Sequence, residues 1–159
     1  TDLGYGNALR ELFAPDRDGR PMDRALPPAL ASACLRVLKE WDWAERPVAV
    51  VWVPSVGRPG LVEALATGIA RAGRLEPLGP LVLHADASLS AANSAYRVRD
   101  LWSRFSVPSA MASRLASLRG PVLLVDDLID SRWTVTVAGR LLRQAGADAV
   151  LPLALGSVG

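Results

Sequence analysis

The sequence predicts an α/β domain with a mostly parallel sheet flanked by helices. Short apolar runs rich in β-branched residues, such as Val48–Val53 and Pro121–Val125, read as strands buried on both faces. Between them lie segments whose apolar residues recur at helical spacing. Strand, loop and helix then alternate along the chain, the pattern of βαβ units with right-handed crossovers.

In chain order, Ala8–Ala14 is a short helix, and Pro15–Arg24, dense in charge and turn residues, is a surface loop. Pro27 and Pro28 suit a helix start. Leu30, Cys34, Val37, Leu38 and Trp41 share one face of a helix from Pro28 to about Trp43, with Arg36, Lys39 and Glu40 opposite. Val48–Val53 is the first strand and Pro54–Pro59 its turn. Leu61, Ala64, Leu65, Gly68 and Ile69 mark a helix over Gly60–Ala72, with Gly73 as its C-cap. Pro80–His84 is the second strand, Asn93–Phe105 a helix and Phe105–Val107 a short third strand. Pro108–Arg119 reads equally as a short helix or as a cover over the core, since Met111, Leu115 and Leu118 suit both. Pro121–Asp127 is the clearest strand. A helix over Thr134–Ala145, burying Ala138, Leu141, Leu142 and Ala145 and closed by Gly146, leads to the last strand, Ala149–Leu155. The whole reads as one compact domain: an N-terminal helical segment, 1–47, packed on an α/β core, 48–159.

Composition narrows the function. A chain of 159 residues, half of them hydrophobic, buries a real core and is not disordered. The 18 basic and 16 acidic residues are scattered, with no basic run of the kind that marks a DNA-binding surface. A single cysteine, Cys34, excludes an intrachain disulfide and fits a reducing cytoplasm. No apolar run approaches the ~18 residues of a membrane span, and no signal peptide is present. His84 and Cys34 alone make no zinc site, and one histidine makes no Ser-His-Asp triad. The only lysine, Lys39, lies in "VLKEW", so there is no Walker A loop. The start at Thr1 rather than Met predicts an excised piece of a longer protein or a processed product.

Ligands of parallel sheets bind beyond the carboxyl ends of the strands, which singles out the loops after Val53, His84 and Val125. The last is the richest in chemistry. An apolar strand delivers Asp126 and Asp127, Asp130 follows in the turn, and Ser131 and Thr134 flank a helix start. Unpaired N–H groups at a helix start attract phosphate. Paired carboxylates accept hydrogen bonds from sugar hydroxyls and attract hydrated Mg²⁺. Together they describe a site for a sugar phosphate. Asp130 is read equally as an N-cap and as a catalytic base. Arg58 is read equally as an anion ligand and as an exposed side chain. Trp133 is expected under the loop sooner than stacked on a ligand base, and Trp41, Trp43 and Trp52 are expected in the core. Arg97, Arg99 and Arg104 are expected on a solvated helix face, with contact to DNA phosphates the other reading.

The run "VLLVDDLIDSRWT", Val122–Thr134, resembles the signature of type I phosphoribosyltransferases: an apolar strand, two acids, a short turn and a Thr-Gly-x-Thr phosphate loop. The resemblance implies a ribose-5-phosphate cradle over Val122–Thr136. Asp126 and Asp127 would face the ribose hydroxyls, and Asp130 would act at the anomeric carbon. Ser131, Arg132, Trp133 and Thr134 would hold the 5-phosphate, and Ser55, Val56, Gly57 and Arg58 would form the pyrophosphate loop. Mg²⁺ would enter with phosphoribosyl pyrophosphate through Asp126 and Asp127. The chain departs from the pattern at Arg132, where the family has glycine. That arginine either adds a bidentate phosphate contact or fills the site.

The stretches Asn93–Pro108 and Gly120–Leu155 resemble ComF-type relatives of these enzymes. "LGYGNALRELF" and "RPVAVVWVPSVGRP" are similar to the C-terminal region of RecQ-family DNA helicases. Nearly the whole chain is covered. The resemblance implies an accessory or regulatory domain of an ATP-dependent DNA helicase, cytoplasmic and nucleoid-associated. It would bind a phosphoribosyl or nucleic-acid ligand, and DNA through the parent protein. An active Mg²⁺-dependent transferase is the alternative, and a domain binding single-stranded DNA in a salt-dependent way is a third reading.

Overall fold

Four runs of the chain pair side by side, all parallel, in a computed structural model that describes residues 4–84, 104–130 and 132–158. The elements in chain order are α1 (Tyr5–Phe13), α2 (Pro28–Glu40), β1 (Ala49–Trp52), α3 (Pro59–Gly73), β2 (Glu76–Pro80), β3 (Val82–Leu83), β4 (Phe105–Ser106), α4 (Ser109–Ser117), β5 (Val122–Ile129), α5 (Arg132–Gln144) and β6 (Val150–Ser157). The parallel sheet has the order β2-β1-β5-β6, and β3 and β4 form a separate antiparallel ribbon. The helix expected from Asn93 lies outside the described residues as far as 103, and Phe105 belongs to β4.

The central strands explain why their sequence lacks polar alternation. Ala49, Val51, Val122 and Leu124 face one apolar layer with Met111, Leu115, Val137 and Leu142. Val50, Trp52, Leu123 and Val125 face the other, with Val62, Leu65 and Ile69 of α3. Both faces are covered, as a parallel sheet requires. Pro108–Arg119 resolves as helix α4, burying Met111 and Leu115.

Several expectations are corrected. The strand expected over Pro80–His84 is two elements: β2 runs parallel to β1 and ends at Pro80, and Val82–Leu83 pairs with β4 instead. "EPLGP" hides a strand because proline and glycine oppose one, yet an outer strand tolerates both. The β1–β2 register shifts between Val50 and Val51, where Gly79 takes φ 106°. Helix α2 stops at Glu40, leaving Trp41 55% exposed, and Val37 is exposed too; Leu35 packs inward instead. At the end of α3 the left-handed cap is Arg74 (φ 55°), not Gly73, and its N–H reaches Ala70 O and Arg71 O.

The outer strands carry prolines where hydrogen bonds would point outward. In a parallel ladder alternate residues bond to the same neighbour. Glu76 N bonds Val48 O and Leu81 N bonds Trp52 O, so Pro77 and Pro80 face away from β1. Val122 N bonds Ala149 O, which puts the backbone of Pro152 on the free side of β6.

The N-terminal segment is fastened to α3. Leu12, Leu30 and Leu61 share a buried cluster, and the Arg24 guanidinium donates to Leu12 O and Ala14 O. The Asp23 carboxylate accepts from Gly60 N (2.8 Å) and Leu61 N (2.9 Å), capping α3 from outside its own sequence. Asp23→Ala is expected to cost about 1–2 kcal/mol, as loss of a side-chain cap does, or about 2–8 °C in a thermal melt. A change below a degree would show the cap to be idle.

Candidate functional site

Chain order reverses across the sheet between β1 and β5. After β1 the chain moves outward to β2, and after β5 it moves outward the other way to β6. The crevice at the carboxyl ends of β1 and β5 is therefore the switch point, where ligands of such sheets bind. It receives the loop after β1 and the acid pair of β5.

Those two segments meet there. Ser55 Oγ donates to Asp127 Oδ2 at 3.2 Å and accepts from Arg58 N at 3.1 Å. The Arg58 guanidinium reaches the same Oδ2 at 3.4 Å and lies 4.9 Å over the Phe13 ring. Arg58 is not the exposed side chain of one sequence reading: only 13% of it is accessible. Its Nε is buried without a hydrogen-bond partner among the described residues. Gly57 is required for room, since a Cβ there would stand 2.6 Å from Pro21 Cβ. Phe13 and Pro21 thus wall the loop. No spacing in the sequence foretold either, because both come from the N-terminal segment.

The acids lie inside β5, which runs two residues past the expected end at Asp127, to Ile129. Asp126 and Asp127 are 7% and 5% exposed. Asp126 Oδ1 accepts from Asp127 N (2.8 Å) and Asp127 Oδ1 from Leu128 N (2.9 Å). Burial, with the hydrogen bond and charge of Asp127 added, pushes the Asp126 carboxyl up to about 7.

The other expected residues are spread along the rim. Val56 is exposed on the β1 loop. Asp130 is exposed at the end of β5. Arg132 and Thr134 occupy the first turn of α5, where Arg132 O accepts from Thr136 Oγ1 at 2.8 Å. Trp133 is 52% exposed, so it does not pack beneath the loop. Ser131 lies outside the described residues. Among those residues no hydrogen bond joins Asp130, Trp133 or Thr134 to the Ser55–Asp127 group.

The acid pair does not fit a directly held Mg²⁺. Both oxygens of Asp127 are engaged, by Leu128 N and by Ser55 with Arg58, and burial raises the Asp126 carboxyl to about 7, so that only about half of it is ionised at neutral pH. No group of three metal-ligating side chains occurs among the described residues.

No family model matches the sequence, and no curated protein matches it. Among solved structures, a glutamine phosphoribosylpyrophosphate amidotransferase from B. subtilis, complexed with ADP and GMP, is similar at TM-score 0.50 and 21% identity, over 80% of this chain and 26% of that one. A structure of the allosteric regulatory enzyme of purine biosynthesis is similar at TM-score 0.52 and 19% identity, over 80% of this chain and 25% of that one. The chain spans about a quarter of the length of each. Among the described residues no helix is long and apolar enough to cross a membrane. The parallel four-stranded sheet flanked by helices, with these likenesses, is the type I phosphoribosyltransferase fold.

Proposed function

We propose that the chain is a binding module whose β1–β5 crevice takes the ribose and phosphate groups of a phosphoribosyl compound. The observation that carries this is the meeting of Ser55 and Arg58 with Asp127 at the switch point. Arg58 Nε supplies a buried donor for an anion oxygen. Below about pH 7 Asp126 holds a proton it can donate, while the remaining lone pairs of Asp127 accept, which suits a sugar diol that does both. The ADP and GMP bound to the B. subtilis amidotransferase, and the phosphoribosyl pyrophosphate in its name, set the ligand class to try. In this reading the chain is the accessory domain of a RecQ-like helicase, as the "LGYGNALRELF" resemblance implies.

A catalytic reading rests on Asp130, exposed at the end of β5, acting at a ligand's anomeric carbon as the resemblance implies. It predicts pyrophosphate release from phosphoribosyl pyrophosphate on mixing with bases or amines in Mg²⁺. Silence across such a panel leaves the binding module alone.

The test is thermal melting with phosphoribosyl pyrophosphate and with GMP, each with and without Mg²⁺. Ligand at ~100 times its dissociation constant should add roughly 2.7 kcal/mol, or about 5–10 °C. Arg58→Gln, measured against its own baseline, should lose the shift. No shift at millimolar ligand overturns the proposal.

A further inference from the structure

A cavity of about 570 Å³ opens at the other end of the sheet, away from the acid pair. Its walls are Leu38 of α2, Trp43 in the turn that follows, and Ile69 of α3; Leu123, near the start of β5, forms the floor. The lining is mostly apolar. Its charged members are two cations, Lys39 and Arg46, and the acids of the same stretch, Glu40, Asp42 and Glu45, do not line it. Lys39 in the last turn of α2 also answers that helix's dipole. Arg46 lies beyond the helix and has no such reason to be there. Among the described residues no hydrogen bond or ion pair holds either cation. Trp43 is fixed in place: its Nε1 donates to Leu38 O at 2.9 Å, and Trp41 stacks on it at 5.6 Å.

We propose that this cavity is a second ligand site, for a small apolar molecule carrying one anionic group. The apolar body would lie between Leu38, Trp43 and Ile69, and the anion would meet Lys39 and Arg46. The volume falls in the range of pockets for small molecules, roughly 300–1,000 Å³. The charge decides the class of ligand: two unpartnered cations over an apolar floor favour a carboxylate or sulfonate amphiphile over a neutral or cationic one. The site is independent of the β1–β5 crevice, so failure of either proposal leaves the other standing.

The probes are anilinonaphthalenesulfonate and its uncharged counterpart N-phenylnaphthylamine, titrated by fluorescence against the folded chain. The sulfonate should bind at one per chain, about tenfold more tightly than the uncharged probe. The double variant Lys39→Glu/Arg46→Glu changes two exposed side chains, so its melting temperature should fall by no more than a few degrees, the cost of an acid against the α2 dipole; it should erase that tenfold preference. Ala72→Trp, which fills the cavity from its exposed α3 edge, should abolish binding of both. Asp126→Asn should change neither. Equal affinity for both probes, indifference to the charge reversal, or no saturable binding overturns the proposal. Self-association of the chain that the sulfonate dissolves would make a second copy the occupant, and overturns it too.

Discussion

Arg58→Ala is expected to lower the melting temperature by about 6–12 °C. Arg58 and Asp127 are both largely buried, and the substitution removes the cation while leaving the carboxylate in place. Breaking a buried pair from one side costs about 3–5 kcal/mol, because the remaining charge is uncompensated. The 3.4 Å contact is long, and Ser55 still donates to Asp127, which places the cost near about 3 kcal/mol. Lost stacking on Phe13 adds to it. The mechanism makes a sharper claim than the single variant. Asp127→Asn introduced into Arg58→Ala should restore a large part of the stability, since no buried charge then stands alone. A double variant as unstable as Arg58→Ala would locate the damage in packing instead.

The second large effect is a stability that falls as pH rises. Burial lifts the folded-state Asp126 carboxyl to about 7, above its ordinary value of 3.8. Between those values the folded chain holds a proton that the unfolded chain releases. The contribution is therefore complete below about pH 4 and disappears as pH climbs through about 7, at up to roughly 1 kcal/mol per pH unit. This is opposite to the usual behaviour of an ion-paired carboxylate. Asp126→Asn keeps a neutral polar group of the same shape, so it should flatten that slope and exceed the parent in stability at pH 8. Denaturant unfolding at a series of pH values reads both. A parent whose stability rises from pH 5 to pH 8, or parallel slopes for the two proteins, would contradict the assignment.

What was legible in the sequence was what burial writes into composition. The runs at Val48–Val53 and Val122–Val125 are apolar on both faces because helices cover both faces, and their strands stand where expected. Strand β2 was illegible because Pro77, Gly79 and Pro80 speak against a strand, while position at the sheet's edge overrides local preference. The face expected of helix α2 holds at Leu30, Cys34 and Leu38 but not at its edges. Val37 and Trp41 fit the period, but Leu35 packs and those two do not, a difference set by where α3 lies. At the site, the acid pair was legible as a pair. Its link to Arg58 was not, because it depends on β5 lying next to β1, across 69 residues of chain. The walls made by Phe13 and Pro21 and the cap made by Asp23 share that origin: they are tertiary contacts with no local signature.

The prolines of the outer strands have a consequence for assembly. Cross-β growth needs an unbroken row of donors and acceptors for each incoming chain. Pro77, Pro80 and Pro152 each delete a donor from the outward row of their strand, so among the described residues neither border offers a continuous template. These missing donors disfavour fibril-like stacking at both borders. A short sheet of four strands can thus keep both borders free without recruiting strands from its surroundings.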